Sequence, residues 1–120
     1  MILVDTSVWV DHLRTGHSGL AGLLDDNLVL GHPWVTGELA LGTLARRAEL
    51  IRLLSALPQA TVATAEEVMV LVDRHALYGL GIGYVDAQLL ASTLLSGGAR
   101  LWTTDRRLGA AAIRLGCVHT

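Results

Sequence analysis

Short, continuous apolar runs alternate along this chain with longer segments in which apolar residues recur every three or four positions. Runs at 1–5, 28–30 and 99–103 are typical of strands buried on both faces of a parallel sheet. Shorter runs predict a further strand at 60–63 and an edge strand at 117–118. We therefore expect a parallel sheet of up to five strands.

The intervening segments have helical periodicity and recognisable ends. Pro33 suits the first turn of a helix, and Thr64 with Glu67 has the spacing of a capping box. Strands that alternate with helices predict an α/β fold whose sheet is covered on both faces, in one domain over residues 1–120. The helices are expected at about 8–14, 20–26, 33–47, 48–56, 65–77, 84–96 and 106–115.

Composition limits the possible partners. Apolar residues make up 52% of the chain and charged residues 17%, so part of the apolar surplus is expected to meet a partner. The net charge is −2, with nine arginines, no lysine and eleven acids, which gives no overall sign of nucleic-acid binding. Binding to a polyanion would have to rely on local arginine clusters and metal ions.

The sequence also predicts a compartment. Cys117 is the only cysteine and cannot form an internal disulfide, which fits a reducing environment. No basic segment precedes the first apolar run, so no secretory signal is expected. No run approaches the roughly 18–20 apolar residues that span a bilayer. We therefore expect a soluble cytoplasmic protein that does not enter a membrane.

Four carboxylates stand where chemistry would be expected. Asp5 closes the first strand and Asp105 follows strand 99–103, and the carboxyl ends of parallel strands form one edge of a sheet. Glu38 lies near the start of an apolar helix, and Asp86 lies in the first turn of another. Acids gathered there would repel one another unless a cation neutralised them, and Mg²⁺ or Mn²⁺ prefers oxygen ligands. The pattern indicates a metal-dependent enzyme that acts on phosphate.

Each acid also has an ordinary structural alternative. Asp5 and Asp105 could serve only as helix N-caps. Glu38 could face solvent, and Asp86 could simply complement the helix dipole. Convergence of all four at the sheet edge would favour the functional interpretation.

Two hydroxyls accompany these acids. Ser7 stands two residues after Asp5, and Thr103 stands two residues before Asp105. A hydroxyl at such a distance can orient a carboxylate or a water molecule, so both are predicted supporting residues.

Two arginine pairs are candidate RNA phosphate contacts. Arg106 and Arg107 occupy the first turn of a helix, where the dipole disfavours cations. Nearby acids or substrate phosphates could offset this cost, and a solvated position is the alternative. Arg46 and Arg47 form the second pair.

Other patterns are less informative. The tryptophans could stack on bases, although large aromatics more often lie in cores or interfaces. The glycines of 79–83 follow a helix rather than a strand, so they are not a dinucleotide-binding fingerprint. The five histidines and one cysteine show no zinc spacing.

The ordered motifs resemble those of PIN-domain ribonucleases, and most closely the VapC toxins of bacterial VapBC toxin–antitoxin modules. The resemblance is carried by Val4–Trp9, Glu38-Leu39, Asp86-Ala87 and Thr103–Leu108. It covers essentially the whole chain in order, although residues 46–80 match in helical character only.

This resemblance implies a single PIN domain: a three-layer α/β/α sandwich with a parallel sheet. It implies an Mg²⁺- or Mn²⁺-dependent endoribonuclease whose products carry 5′-phosphate and 3′-hydroxyl ends. The four acids would be its catalytic and metal-binding residues, with Ser7 and Thr103 at the adjacent hydroxyl positions: Asp5, Glu38, Asp86 and Asp105.

The resemblance also implies partners. These are a VapB-type antitoxin, an RNA with an exposed single-stranded loop, such as a tRNA or ribosomal RNA, and a second copy of the chain in a homodimer. We expect the antitoxin to cover an apolar groove between the helices of residues 8–24 and 33–56 and to reach toward the acids.

Three rival interpretations were weighed. A response-regulator receiver domain and a haloacid-dehalogenase-like phosphatase both need a lysine, which this chain lacks. The phosphatase also needs an aspartate where Ser7 stands. A non-catalytic PIN-like interaction module remains the alternative, and RNA cleavage that EDTA abolishes would exclude it.

Overall fold

Three parallel strands form the centre of the molecule. The computed structural model describes residues 1–120 and contains β1 (Ile2–Val4), β2 (Val29–Leu30) and β3 (Arg100–Trp102). The sheet order is β2-β1-β3, and both outer strands run parallel to β1. These strands fall within three of the five apolar runs that the sequence predicted as strands.

Seven helices connect and cover the strands, which gives the predicted α/β/α sandwich. No helix is long and apolar enough to cross a membrane. The helices are α1 (Thr6–Thr15), α2 (Ser18–Asp25), α3 (Pro33–Ala40), α4 (Arg47–Ala56), α5 (Ala65–Arg74), α6 (Tyr84–Leu95) and α7 (Arg106–Arg114).

The core lies between the sheet and these helices. Leu3, Val4 and Leu101 on the sheet are fully buried, and they belong to the same apolar cluster as Trp9 of α1 and Leu108 of α7. Burial of apolar area at about 25 cal/mol per Å² is the main force that holds such layers together. Alternation of strands with amphipathic helices therefore fixes the layer order.

The predicted helix over 33–47 is wrong in its second half, because α3 ends at Ala40. Gly42 weakens a continuing helix, and its N–H bonds to Leu39 O at 3.1 Å in a turn. The Nε of Arg47 donates to Ala40 O at 2.8 Å and so satisfies a carbonyl freed at the helix end. Leu41, which the helix would have placed beside the core, is 90% exposed.

The predicted strand at 60–63 is also wrong. The Thr61 N–H donates to Ser96 Oγ at 3.0 Å, and the Ala63 N–H donates to Gln88 Oε1 at 3.0 Å. Side chains of α6 and its C-terminal end thus take the place of a neighbouring strand. Only the preceding residue, Gln59, forms a parallel bridge, which joins it to Gly31.

The predicted edge strand at 117–118 is reduced to a single bridge. Val118 pairs in parallel with Leu101, the Leu101 N–H donates to Cys117 O at 2.7 Å, and the His119 N–H donates to Leu101 O at 2.8 Å. Two hydrogen bonds therefore extend the sheet beyond β3 without forming a regular strand.

A buried polar network fixes the start of α3. His32 Nδ1 accepts from the Trp34 N–H at 3.0 Å, so the neutral ring carries its proton on Nε2. That nitrogen lies 3.0 Å from Ser92 Oγ and 3.4 Å from Gln88 Oε1. Burial lowers the pKa of His32. The network joins α3 to α6, and α3 carries Glu38.

The adjacent ends of β1 and β3 define where a site can form. The Asp5 N–H bonds to Trp102 O at 2.9 Å, so the two strands remain paired to their carboxyl ends. From there the chain enters α1 on one strand and α7 on the other. Ligands of open α/β sheets bind in such a crevice.

Candidate active site

Asp5 is the most firmly held of the four acids. Its Oδ2 accepts from Ser7 Oγ at 2.7 Å and from Thr103 Oγ1 at 2.8 Å. Only 7% of the residue is exposed. The side chain makes no capping bond to α1, so capping does not explain this aspartate. Both predicted supporting hydroxyls therefore contact the same carboxylate oxygen.

Glu38 is exposed, and a residue that the sequence reasoning missed fixes its orientation. Thr6 Oγ1 donates to Glu38 Oε1 at 2.7 Å, joining the start of α1 to α3. The available signal was the position of Thr6 between Asp5 and Ser7, but the sequence indicated only a helix-capping role. The partner lies 32 residues away.

Asp86 interacts with the other three acids. Its Oδ2 accepts from the Gly83 N–H at 3.0 Å, within the first turn of α6. Burial raises the pKa of Asp86, and repulsion from Asp5, Asp105 and Glu38 raises it further, although the Gly83 hydrogen bond opposes the shift. The other three carboxylates thus lie within electrostatic reach of Asp86.

Asp105 combines a structural role with a free oxygen. Its Oδ1 accepts from the Arg107 N–H at 2.9 Å and the Leu108 N–H at 3.0 Å, as an N-cap of α7. The capping alternative is therefore correct for this oxygen. Thr103 Oγ1 also accepts from the Asp105 N–H at 3.0 Å, which links the cap to Asp5.

The four acids share one pattern: the chain holds one carboxylate oxygen of each, while the other has no hydrogen-bond partner within the protein. No arginine side chain pairs with any of them, because the only ion pair joins Arg46 to Glu49 at 4.0 Å. Unbalanced like charges with free oxygens are the features expected of a cation site.

The donor chemistry fits a hard divalent cation, since all four side chains offer oxygen. The side chains form no group of three or more His, Cys, Asp or Glu residues that could hold a metal ion. Mg²⁺ is usually bound through one or two carboxylates together with waters and substrate phosphates. A preformed three-ligand cage is therefore not required.

The four candidate arginines differ in what their side chains contact. Arg46 pairs with Glu49, and Arg47 Nε donates to Ala40 O. The guanidinium groups of Arg106 and Arg107 make no hydrogen bond or ion pair within the chain, and both residues are exposed. Only Arg106 and Arg107 have all their charged donors free.

The tryptophans are mainly structural. Trp9 is buried in the core, while Trp34 and Trp102 are partly buried.

A separate cavity of about 410 Å³ lies between α5 and α6, with Val70 and Leu94 in its lining. None of the four acids lines that cavity, whose lining combines apolar residues with Glu66, Glu67, Arg74 and His75.

Comparison with known proteins agrees with this geometry. Residues 2–114 match the family described as PIN domain, and the chain belongs to that family. The chain is 52% identical over 116 residues to Ribonuclease VapC32 of Mycobacterium tuberculosis, in strain CDC 1551 / Oshkosh and equally in strain ATCC 25618 / H37Rv. The alignment covers 97% of this chain and 94% of each relative.

Proposed function

We propose that this protein is the toxin of a type II toxin–antitoxin module and a metal-dependent endoribonuclease of the VapC type. The observation that carries the proposal is the set of four coupled carboxylates, each with one oxygen held and one free. The relatives named Ribonuclease VapC32 support RNA as the substrate.

The proposed catalytic residues have distinct tasks. Asp5 and Asp86 would bind Mg²⁺ or Mn²⁺ directly, because they are the two less exposed of the four acids and each has one oxygen free. Glu38 and Asp105 would bind directly or through water. A divalent ion held there would lower the pKa of water and neutralise charge on the reacting phosphate.

The surrounding hydroxyls would position these groups. Ser7 and Thr103 hold Asp5 Oδ2 in place, so its free oxygen needs little reorganisation when a cation binds. Thr6 does the same for Glu38. Hydrolysis of the phosphodiester would leave 5′-phosphate and 3′-hydroxyl ends.

Arginines would supply the phosphate contacts that the acidic pocket cannot. Arg106 and Arg107 have free guanidinium groups, which makes them better placed than Arg46 and Arg47. Sequence-specific cleavage of RNA needs unstacked bases, so we propose an exposed loop of a tRNA or ribosomal RNA as the target. The site of action would be the cytoplasm.

A VapB-type antitoxin is the proposed inhibitor. Exposed apolar side chains on α1, after α3 and on α4 offer it a surface: Val10, Leu13, Leu41 and Leu53. An antitoxin arginine that reached the acids would neutralise them and exclude cations.

A homodimer could bury the apolar surface of α5 and α6, where Met69, Val70, Leu94 and Leu95 are exposed.

The proposal is tested by incubating the purified chain with total bacterial RNA and Mg²⁺ and sequencing the new 5′-phosphate ends. We expect discrete cuts that disappear with EDTA or on addition of the antitoxin. We also expect expression of the free chain to slow growth. A chain that cleaves no RNA and is tolerated in cells would support the non-catalytic interaction module instead.

A further inference from the structure

Arg107 lies directly on the backbone of Gly81. A Cβ built on Gly81 would lie 2.6 Å from Nη1 of Arg107, 2.9 Å from its Cδ and 3.0 Å from its Cζ. The first two distances are shorter than real Cβ contacts, so a side chain at position 81 would displace the end of the Arg107 side chain. Gly81 also has a φ of +75°, in the left-handed region.

The contact joins the loop before Asp86 to the helix that Asp105 caps. The Arg107 N–H donates to Asp105 Oδ1 at 2.9 Å. Two residues beyond Gly81, the Gly83 N–H holds Asp86 Oδ2 at 3.0 Å. Two residues of chain span at most about 7 Å, so the guanidinium lies against the loop that leads into the Asp86 turn. It nevertheless forms no ion pair with either acid.

We propose that Gly81 is a positioning residue whose bare backbone leaves room for the Arg107 guanidinium to stand as a contact for an RNA phosphate at the edge of the acidic pocket. The proposal rests on the proposed ribonuclease function. A pocket of four acids repels phosphate, and a guanidinium at its edge offsets that repulsion with paired N–H donors.

An RNA phosphate is the favoured occupant over an acidic side chain of a protein partner. The proposed reaction brings a phosphodiester to the acids next to which Arg107 stands. A carboxylate from a partner would approach the same acids without the divalent ions that accompany RNA, and so would be repelled.

Gly79 provides a matched control for Gly81. It lies in the same loop with a φ of +73°, yet a Cβ there would meet nothing within 4 Å. Gly79→Ala and Gly81→Ala therefore introduce the same backbone strain. Only Gly81→Ala displaces Arg107, and because the displaced group is the end of a flexible side chain, both variants should lose similar thermal stability.

Two measurements follow on these variants and on Arg107→Ala. The first is kcat and KM for a synthetic RNA that contains the mapped cut site. The second is the salt dependence of binding to a short single-stranded RNA of randomised sequence, because phosphate contacts do not depend on sequence.

We expect Arg107→Ala to lower kcat/KM about 10- to 100-fold, mainly through KM, since it removes a charge-assisted contact. Its salt slope should fall by about 0.7. Gly81→Ala should lower kcat/KM about tenfold, because the charge stays while the paired geometry is lost. Gly79→Ala should match the wild type in kcat/KM and in salt slope. In the Arg107→Ala background, Gly81→Ala should cause no further loss of kcat/KM.

Equal kinetics and salt slopes for Gly81→Ala and Gly79→Ala would overturn the proposal. So would a Gly81→Ala variant that cleaves and binds RNA normally but loses affinity for the antitoxin, because the arginine would then serve the protein partner. If the wild type cleaves no RNA, the ribonuclease function itself fails. That outcome differs from one in which the wild type is active and Gly79→Ala and Gly81→Ala have the same kinetics, which would overturn only the role of Gly81.

Discussion

Thr103 Oγ1 donates a 2.8 Å hydrogen bond to Asp5 Oδ2 across 98 residues of sequence. The same hydroxyl accepts from the Asp105 N–H, so one threonine orients acids that follow two different strands. The carboxyl ends of β1 and β3 are therefore joined by side chains as well as by the sheet.

Thr103→Val should reduce RNA cleavage while the protein stays folded. Valine keeps the shape but leaves Asp5 with one hydroxyl donor, and hydrogen bonds to charged groups are worth about 1.5–3 kcal/mol. We expect kcat to fall about tenfold or more. Thr104→Val is the control, because that side chain is exposed and only its backbone N–H bonds to Ser7. Equal activity in the two variants would contradict a positioning role.

Thr6 should matter through Glu38 alone. Thr6→Val removes the 2.7 Å hydrogen bond to Glu38 Oε1, whereas Thr6→Ser keeps a hydroxyl in place. We expect about a three- to tenfold loss of kcat/KM in the valine variant, since one charge-assisted bond is lost at an exposed position. The serine variant should retain most activity. In a Glu38→Ala background, which removes the acceptor, a full additional effect of Thr6→Val would show that Thr6 acts elsewhere.

These two threonines show how far the sequence reaches. Asp5 and Asp105 could be predicted as neighbours, because continuous apolar runs mark their strands and parallel strand ends meet. The Thr6–Glu38 bond could not, because it depends on how α3 packs against α1. The segment 60–63 was misassigned for a similar reason: its N–H groups bond to side chains of distant α6 residues.

Asp86→Asn should stabilise the metal-free protein at neutral pH. The pKa of Asp86 is raised in the folded state, so its ionised form is disfavoured by folding above that pKa. Asparagine removes the charge and can still accept from Gly83. This gain in stability should vanish as the pH falls through the pKa of folded Asp86 toward about 3.9. Below that pH the wild-type carboxyl is neutral in both the folded and the unfolded chain.

Thermal unfolding of both proteins in EDTA across this pH range checks the sign. A lower Tm for Asp86→Asn at neutral pH would contradict the electrostatic account of the site. Adding Mg²⁺ should raise the Tm of the wild type more than that of the variant, because binding to the folded state stabilises it.

His32 should make the fold sensitive to mild acid. Burial lowers the pKa of His32. Above about pH 6.5 the ring is neutral in the folded and the unfolded chain, so there it does not lower the free energy of unfolding. As the pH falls from there toward the folded pKa, the unfolded chain binds a proton that folded His32 does not, and the free energy of unfolding falls.

Denaturant unfolding at several pH values measures this loss. His32→Gln should flatten the dependence. His119→Gln is the control, because burial also lowers the pKa of His119. This variant measures how much of the pH dependence of unfolding comes from His119 rather than from His32. An identical pH dependence in His32→Gln and the wild type would show that the buried ring does not couple protonation to folding.

The most direct test of the account is cleavage of RNA by the wild type and by Asp5→Asn over a range of Mg²⁺ concentrations. Asparagine keeps an acceptor for Ser7 and Thr103 but removes the charge that would hold the cation. We predict that the wild type cuts RNA only with divalent metal and that Asp5→Asn is nearly inactive at every concentration. Cleavage by Asp5→Asn at the wild-type rate, or cleavage by the wild type in EDTA, would contradict the assignment of this acidic site.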